Sequence, residues 1–228
     1  MRRARSATLF LLPLAALSAS CQQPATAAER VVRAPDPVIE ANETGKQAVA
    51  IFAGGCFWGI EGVFSHVPGV TSAVSGYHGG ARADATYERV GTGATGHAEA
   101  VRVTYDPDRV RYDELLRVFF SVVADPTTLN YQGPDHGAQY RSALVPLDAG
   151  QRKVAAAYLA QLRKTGPWRR PIVTRIERYS GFYPAEAEHQ DFMAANPAHP
   201  YIARWDAPKV AALKRLYPAL YKPGFTRD

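Results

Sequence analysis

Ala48-Val49-Ala50-Ile51-Phe52-Ala53-Gly54-Gly55-Cys56-Phe57-Trp58-Gly59 decides how this chain is built and where its chemistry lies. Six apolar residues in a row, closed by two glycines, predict a buried strand. From Phe57 to His66 the apolar positions Ile60, Val63 and Phe64 share one face of a helix. Cys56 stands where strand gives way to helix. The unpaired N–H groups and dipole of a first helical turn favour an anion, so the sequence predicts a stabilised thiolate. A lone Cys in apolar surroundings can also be a small core residue. Its neighbours argue for chemistry: the double glycine lets backbone approach a ligand closely, and Phe57 and Trp58 can wall a small pocket.

Downstream, Val70 to Tyr77 reads as a strand, followed by a glycine-rich loop from His78 to Gly96. His97 to Tyr105 alternates, with His97, Glu99, Val101, Val103 and Tyr105 on one face. A helix carrying Leu115, Phe119 and Val122 comes next, then a strand over 140–147. Asp148 and Gln151 form a capping-box pattern opening a helix that stops at Gly166-Pro167. A last strand is expected over 171–179, then short helices near 185–194 and 207–217. The first six elements run β-α-β-β-α-β. That order predicts an α+β, two-layer ferredoxin-like core with helices on one face of a mixed sheet and a long C-terminal extension.

Upstream, residues 28–47 hold Pro35, Pro37, several charges and no periodicity, and read as a flexible tether to a domain spanning 48–228. Residues 1–27 read as a secretory signal: a basic start, an apolar run from Thr8 to Leu17, and Ala25-Thr26-Ala27 as a cleavage site. That run is shorter than the roughly 20 residues a membrane span needs. Ser18-Ala19-Ser20-Cys21 resembles a lipoprotein site ending before Cys21, with Leu17 one residue too early. The expectation is an exported monomer, periplasmic or envelope-attached, touching membrane only if Cys21 is lipidated.

Removing residues 1–27 takes away three arginines and no acid, which halves the net charge of +6. The remaining basic residues are scattered, which disfavours nucleic acid. With only Cys21 and Cys56, an exported domain has no disulfide framework. The six histidines show no ligand spacing, so no metal is expected.

Glu99 lies on the face that holds Val101 and Val103. A carboxyl in apolar surroundings resists ionisation, and one kept protonated is a proton donor; the alternative is a solvated carboxylate at a strand end. Tyr87 and Tyr140 lie on or beside loops at strand ends and can offer phenol donors. Asp135 sits in a Gly/Pro-rich turn, where Asp is often only a turn former.

Four blocks in order resemble methionine sulfoxide reductase A: Gly55-Cys56-Phe57-Trp58-Gly59, Gly96-His97-Ala98-Glu99-Ala100-Val101, Asp135-His136-Gly137-Ala138-Gln139-Tyr140-Arg141-Ser142, and Phe182-Tyr183-Pro184-Ala185-Glu186 with His189-Gln190. The resemblance spans residues 48 to about 222. It implies that Cys56 attacks the sulfoxide sulfur, Glu99 protonates the oxygen, and Tyr87 and Tyr140 hydrogen-bond it. Phe57 and Trp58 would hold the S-methyl group, and Asp135 the substrate backbone. It also implies free or protein-bound methionine (S)-sulfoxide as substrate, a Cys56 sulfenic acid as intermediate, repair of oxidised envelope proteins, and no cofactor. Many relatives carry a resolving Cys near Val90 or in the tail; here Gly91 follows Val90 and the tail has none. An external thiol, thioredoxin-like or small, would then resolve the enzyme. Two other readings use the same residues: a secreted thiol hydrolase with Cys56, His97 or His136 and an Asp, and a binding module with an inert Cys56.

Overall fold

The computed structural model describes residues 31–227. The expected signal segment, its expected cleavage site and Cys21 lie outside the described residues. The chain forms β1 (Ala48–Ala53), α1 (Phe57–Ser65), β2 (Val70–His78), α2 (Tyr87–Gly91), β3 (Ala98–Tyr105) and α3 (Tyr112–Val118). It continues with a short hairpin, β4 (Tyr131–Gln132) and β5 (Asp135–His136), then β6 (Ala143–Val145), α4 (Ala149–Thr165), β7 (Arg175–Ile176) and β8 (Phe182–Pro184). Helices α5 (Phe192–Ala195) and α6 (Ala207–Leu216) close it.

The large sheet runs in the order β7-β6-β1-β3-β2-β8. Its pairs are antiparallel except β6 with β7, so the sheet is mixed. Phe52, Val101, Val103 and Tyr105 share the main core with the buried faces of α1, α3 and α4. Phe52 lies at its centre, its ring 4.8 Å from Phe64 and 5.4 Å from Phe119. Each such ring taken out of water contributes roughly 1.5–3 kcal/mol. The opposite face carries only a thin cluster of Ile51, Ala53, Ala98, Ala100, Ala143 and Val145, with Phe182 over it.

Several boundaries differ from those the sequence predicts. The glycine-rich loop contains α2, whose start is capped by the Thr86 hydroxyl accepting from the Arg89 N–H. The strand expected over 140–147 shrinks to β6, because Ala138–Tyr140 forms a 3₁₀ turn. That expected over 171–179 shrinks to β7, which pairs with β6 at two positions. At α4 the Asp148 carboxylate does accept from the Gln151 N–H, at 2.8 Å. Gln151 does not close the box; its side chain accepts from Leu147 N–H and donates to Val49 O, tying α4 to β1.

The tether expected over 28–47 is not a tether across its described part. Ala34 is fully buried, its N–H donating to the Ser121 hydroxyl. Pro35 O accepts from the Tyr158 hydroxyl at 2.7 Å. The Glu43 carboxylate accepts from the Tyr105 hydroxyl at 2.5 Å and the Tyr112 N–H at 3.1 Å. Proline blocks periodic structure without preventing packing, so a strap looks like a linker in sequence.

Candidate active site

Cys56 is the residue immediately before α1, and the turn delivering it has no spare room. Gly55 has φ +102°, a conformation that favours glycine. A Cβ on Gly54 would meet the Phe119 ring at 2.7 Å, and one on Gly55 would meet Gln132 at 2.8 Å. The space beside the double glycine is therefore filled by protein, not kept for a ligand. Phe119 reaches it because α3 ends in a wide turn, with Ala124 N–H donating to Phe119 O. Gln132 is locked by its amide bonds to both backbone groups of Asp125 and to the Thr128 hydroxyl.

Glu99 is 3% exposed and sits across the β2–β3 ladder from Tyr77. One carboxyl oxygen accepts from the Phe57 N–H at 3.0 Å, the amide next to Cys56. Burial raises Glu99 to about 8; the Phe57 amide opposes this, while the charges of Asp135 and Asp206 add to it. At neutral pH Glu99 is a carboxylic acid.

Cys56 corrects the predicted thiolate. Burial, then the charges of Glu99, Asp206 and Asp135, push the thiol well above its ordinary value, and the Trp58 N–H bond pulls the other way. The helix start acts as expected but is outweighed by the loss of water.

Tyr87 opens α2. Its N–H donates to Glu186 Oε1 at 2.9 Å, and the Tyr77 hydroxyl donates to Glu186 Oε2 at 2.8 Å. The Tyr87 ring lies 4.3 Å from His189 and 6.3 Å from Phe57. Tyr140 ends the 3₁₀ turn that follows Gly137. Burial and then Glu99 push both phenols up, and Cys56 and Asp135 act on each, so both are donors within the field of the thiol. Asp135, on the hairpin, accepts from the Tyr201 hydroxyl.

Phe57 is fully buried against Tyr77, Tyr87 and His189. Trp58 is partly exposed; it stacks on Phe192 at 3.8 Å and meets Tyr201 edge-on at 5.9 Å. The structure thus gathers Cys56, Glu99, Tyr87, Tyr140 and Asp135, with the rings of Phe57 and Trp58 beside them. A cavity of about 600 Å³ lies elsewhere, between residues 39–49 and the start of α4, and holds no thiol.

Sequence reading missed Phe192, Tyr201 and Asp206, which come from short, irregular C-terminal pieces without periodicity. The Glu186/His189-Gln190 block was legible only as a pattern. Its use is visible here: the Gln190 amide accepts from Ser75 N–H and donates to Ser75 O and Ala185 O. It continues the sheet edge beyond β8 and fixes the segment that carries His189 and Phe192. The bases of the hydrolase reading are not placed for that work. His97 accepts from Gly80 N–H and donates to Ala81 O, so both ring nitrogens are engaged. His136 is exposed and stacks on Tyr131.

Comparison with known proteins gives concordant matches. A family model described as peptide methionine sulfoxide reductase matches residues 48–219. Peptide methionine sulfoxide reductase MsrA 2 of Mesorhizobium japonicum is 59% identical over 172 residues, covering 75% of this chain and 88% of its own. Its namesake from Synechocystis sp. is 46% identical over 187 residues, covering 80% and 87%. Among solved structures, reduced Mxr1 from Saccharomyces cerevisiae has a TM-score of 0.62 at 32% identity, covering 71% of this chain and 92% of that one. Methionine sulfoxide reductase A of Corynebacterium diphtheriae has a TM-score of 0.57 at 34% identity, covering 68% and 78%.

Proposed function

The chain belongs to the peptide methionine sulfoxide reductase A family, and from that premise we propose how its residues divide the work. It is a peptide-methionine (S)-S-oxide reductase. The observation that carries the proposal is Glu99, a buried, neutral acid bonded to the amide beside the only thiol among the described residues.

The Cys56 sulfur attacks the sulfoxide sulfur while Glu99 gives its proton to the sulfoxide oxygen, which cannot leave as a bare oxide. Tyr87 and Tyr140 donate hydrogen bonds to that oxygen as charge grows on it. The oxygen passes to the Cys56 sulfur as its bond to the substrate sulfur breaks, and the sulfur–sulfur bond made in the attack breaks with it, releasing methionine and leaving Cys56 as a sulfenic acid. The substrate sulfur gains two electrons and the Cys56 sulfur loses two; the thiol proton replaces the one Glu99 gave. Phe57 and Trp58 hold the methyl group, and Asp135 holds the backbone of a free or protein-bound substrate.

Recycling then needs a thiol from outside. One external thiol condenses with the sulfenic acid, releasing water and leaving a mixed disulfide, and a second thiol frees Cys56. The donor is a thioredoxin-like protein or a small thiol, and no other cofactor takes part. The leader-like residues 1–27 support export to the periplasm or envelope, where the enzyme, acting as a monomer, would repair oxidised proteins. The spatial order of the four central strands, fourth-first-third-second in β6-β1-β3-β2, supports the ferredoxin-like reading of the scaffold.

The test is a single turnover. Mature protein mixed with excess methionine S-sulfoxide and no reductant should release about one equivalent of methionine and leave a Cys56 sulfenic acid that a dimedone-type reagent traps. An intramolecular disulfide in its place would overturn the one-cysteine cycle and make Cys21 the resolving residue.

Trp58→Ala should impair reduction of methionine sulfoxide more than that of a bulkier sulfoxide. One lost apolar contact on a methyl-sized group is worth about 1–3 kcal/mol. Equal losses in kcat/KM for the two substrates would assign Trp58 to packing against Phe192 alone.

A further inference from the structure

Helix α1 carries a further glycine, Gly59, in its first turn, and its surroundings are charged. The position of a Gly59 Cβ is taken by the Asp206 carboxylate, with the Lys209 ammonium 3.3 Å from the same point. Asp206 is fully buried, Lys209 is 3% exposed, and their charged atoms are 3.4 Å apart. Asp206 ends the wide turn Ile202–Asp206, and Lys209 follows in α6. The C-terminal segment thus delivers an ion pair to the first turn of the helix that Cys56 opens.

Stability alone does not explain this arrangement, since an apolar pair of similar volume is often as stable as a buried ion pair or more so. A carboxylate at a helix start also uses the field on which an N-terminal thiolate depends. The other groups facing Cys56 are Glu99 from β3, Asp135 from the hairpin, and the phenols of Tyr87, Tyr140 and Tyr201. Glu99 is neutral at neutral pH, and Asp135 is held by the Tyr201 hydroxyl.

We propose that Asp206 and Lys209 are positioning residues for the nucleophile: seated against Gly59, Asp206 opposes ionisation of Cys56 and Lys209 limits that opposition, so the resting enzyme keeps a protonated thiol. The Asp206 charge raises Cys56 and Glu99 alike, so one group helps to keep a proton on both reacting residues. This inference rests on Cys56 as the reacting sulfur, but its test reads the thiol and not the reductase.

The midpoint of Cys56 ionisation is measured on the mature protein from the pH dependence of iodoacetamide alkylation and from thiolate ultraviolet absorbance. Asp206→Asn should lower it by about one pH unit or more, and Lys209→Met should raise it, as expected for charges a few ångströms away. A structural role would not give opposite signs. The double variant D206N/K209M leaves neither partner as an uncompensated buried charge and carries the test if a single variant fails to fold. Its midpoint should lie below wild type by about half a pH unit, a roughly threefold faster alkylation at neutral pH. A midpoint unchanged in the double variant, or shifts of one sign in both singles, would overturn the proposal. Sulfoxide reduction assayed on the same samples separates the two readings: loss of reductase activity in wild type would sink the function while leaving the thiol measurements standing.

Discussion

Cys56→Ser should fold like the wild type and reduce no methionine S-sulfoxide. The exchange swaps one small side chain for another at a site 8% exposed, so packing of α1 on β1, Phe64 against Phe52, is kept. A hydroxyl cannot take the oxygen from sulfur as a thiol does, and Cys21 is the only other cysteine in the sequence. The loss in kcat should exceed about 10³-fold, with a far-ultraviolet spectrum and unfolding midpoint close to wild type. Residual activity above about a hundredth of wild type would mean that Cys56 is not the reacting sulfur.

Glu99→Gln should cost about 10²–10⁴-fold in kcat, the usual worth of a positioned acid. Glutamine keeps the shape and an acceptor for the Phe57 N–H, but it cannot give up a proton. The wild-type rate should fall as pH rises through about 8, where Glu99 loses its proton, and the variant should lack that limb. The substitution should move stability in the opposite direction from activity. A carboxyl raised from 4.5 to about 8 favours the folded state below pH 4.5 and loses that contribution as pH rises towards 8. At pH 7 the wild type therefore keeps Glu99 neutral at a cost of up to about 3 kcal/mol, which glutamine avoids. A variant both inactive and more stable at pH 7 separates an acid from a strut. Near-normal turnover at neutral pH would assign Glu99 to structure.

The parts of this site visible in sequence are those where local pattern and tertiary use coincide. The apolar run ending in two glycines is β1, and Cys56 stands at the first turn of α1 as read. The alternation around Glu99 identified the core face of β3, and its burial follows from that face. The helix start that favours a thiolate is local and legible, whereas the burial that outweighs it comes from the folded chain and is not. Tyr201 and Asp206 were invisible for the same reason. They lie far along the chain from Cys56, in turns with no period, and only the folded chain brings them to Asp135 and Gly59.

The strap over residues 31–47 separates the unit that evolution keeps recognisable from the unit that physics holds together. Similarity to the family model begins at residue 48, and a protein engineer trimming the chain would be tempted to begin there. That cut would strip the Tyr105 phenol and the Tyr112 amide of Glu43, the Tyr158 phenol of Pro35 O, and the core of Ala34. Each buried polar group left without its partner costs about 1–3 kcal/mol, against a total of about 5–15 for a typical domain. The shortest autonomous version of this enzyme is therefore longer than its shared sequence, and the added length lies where the family's signature is silent.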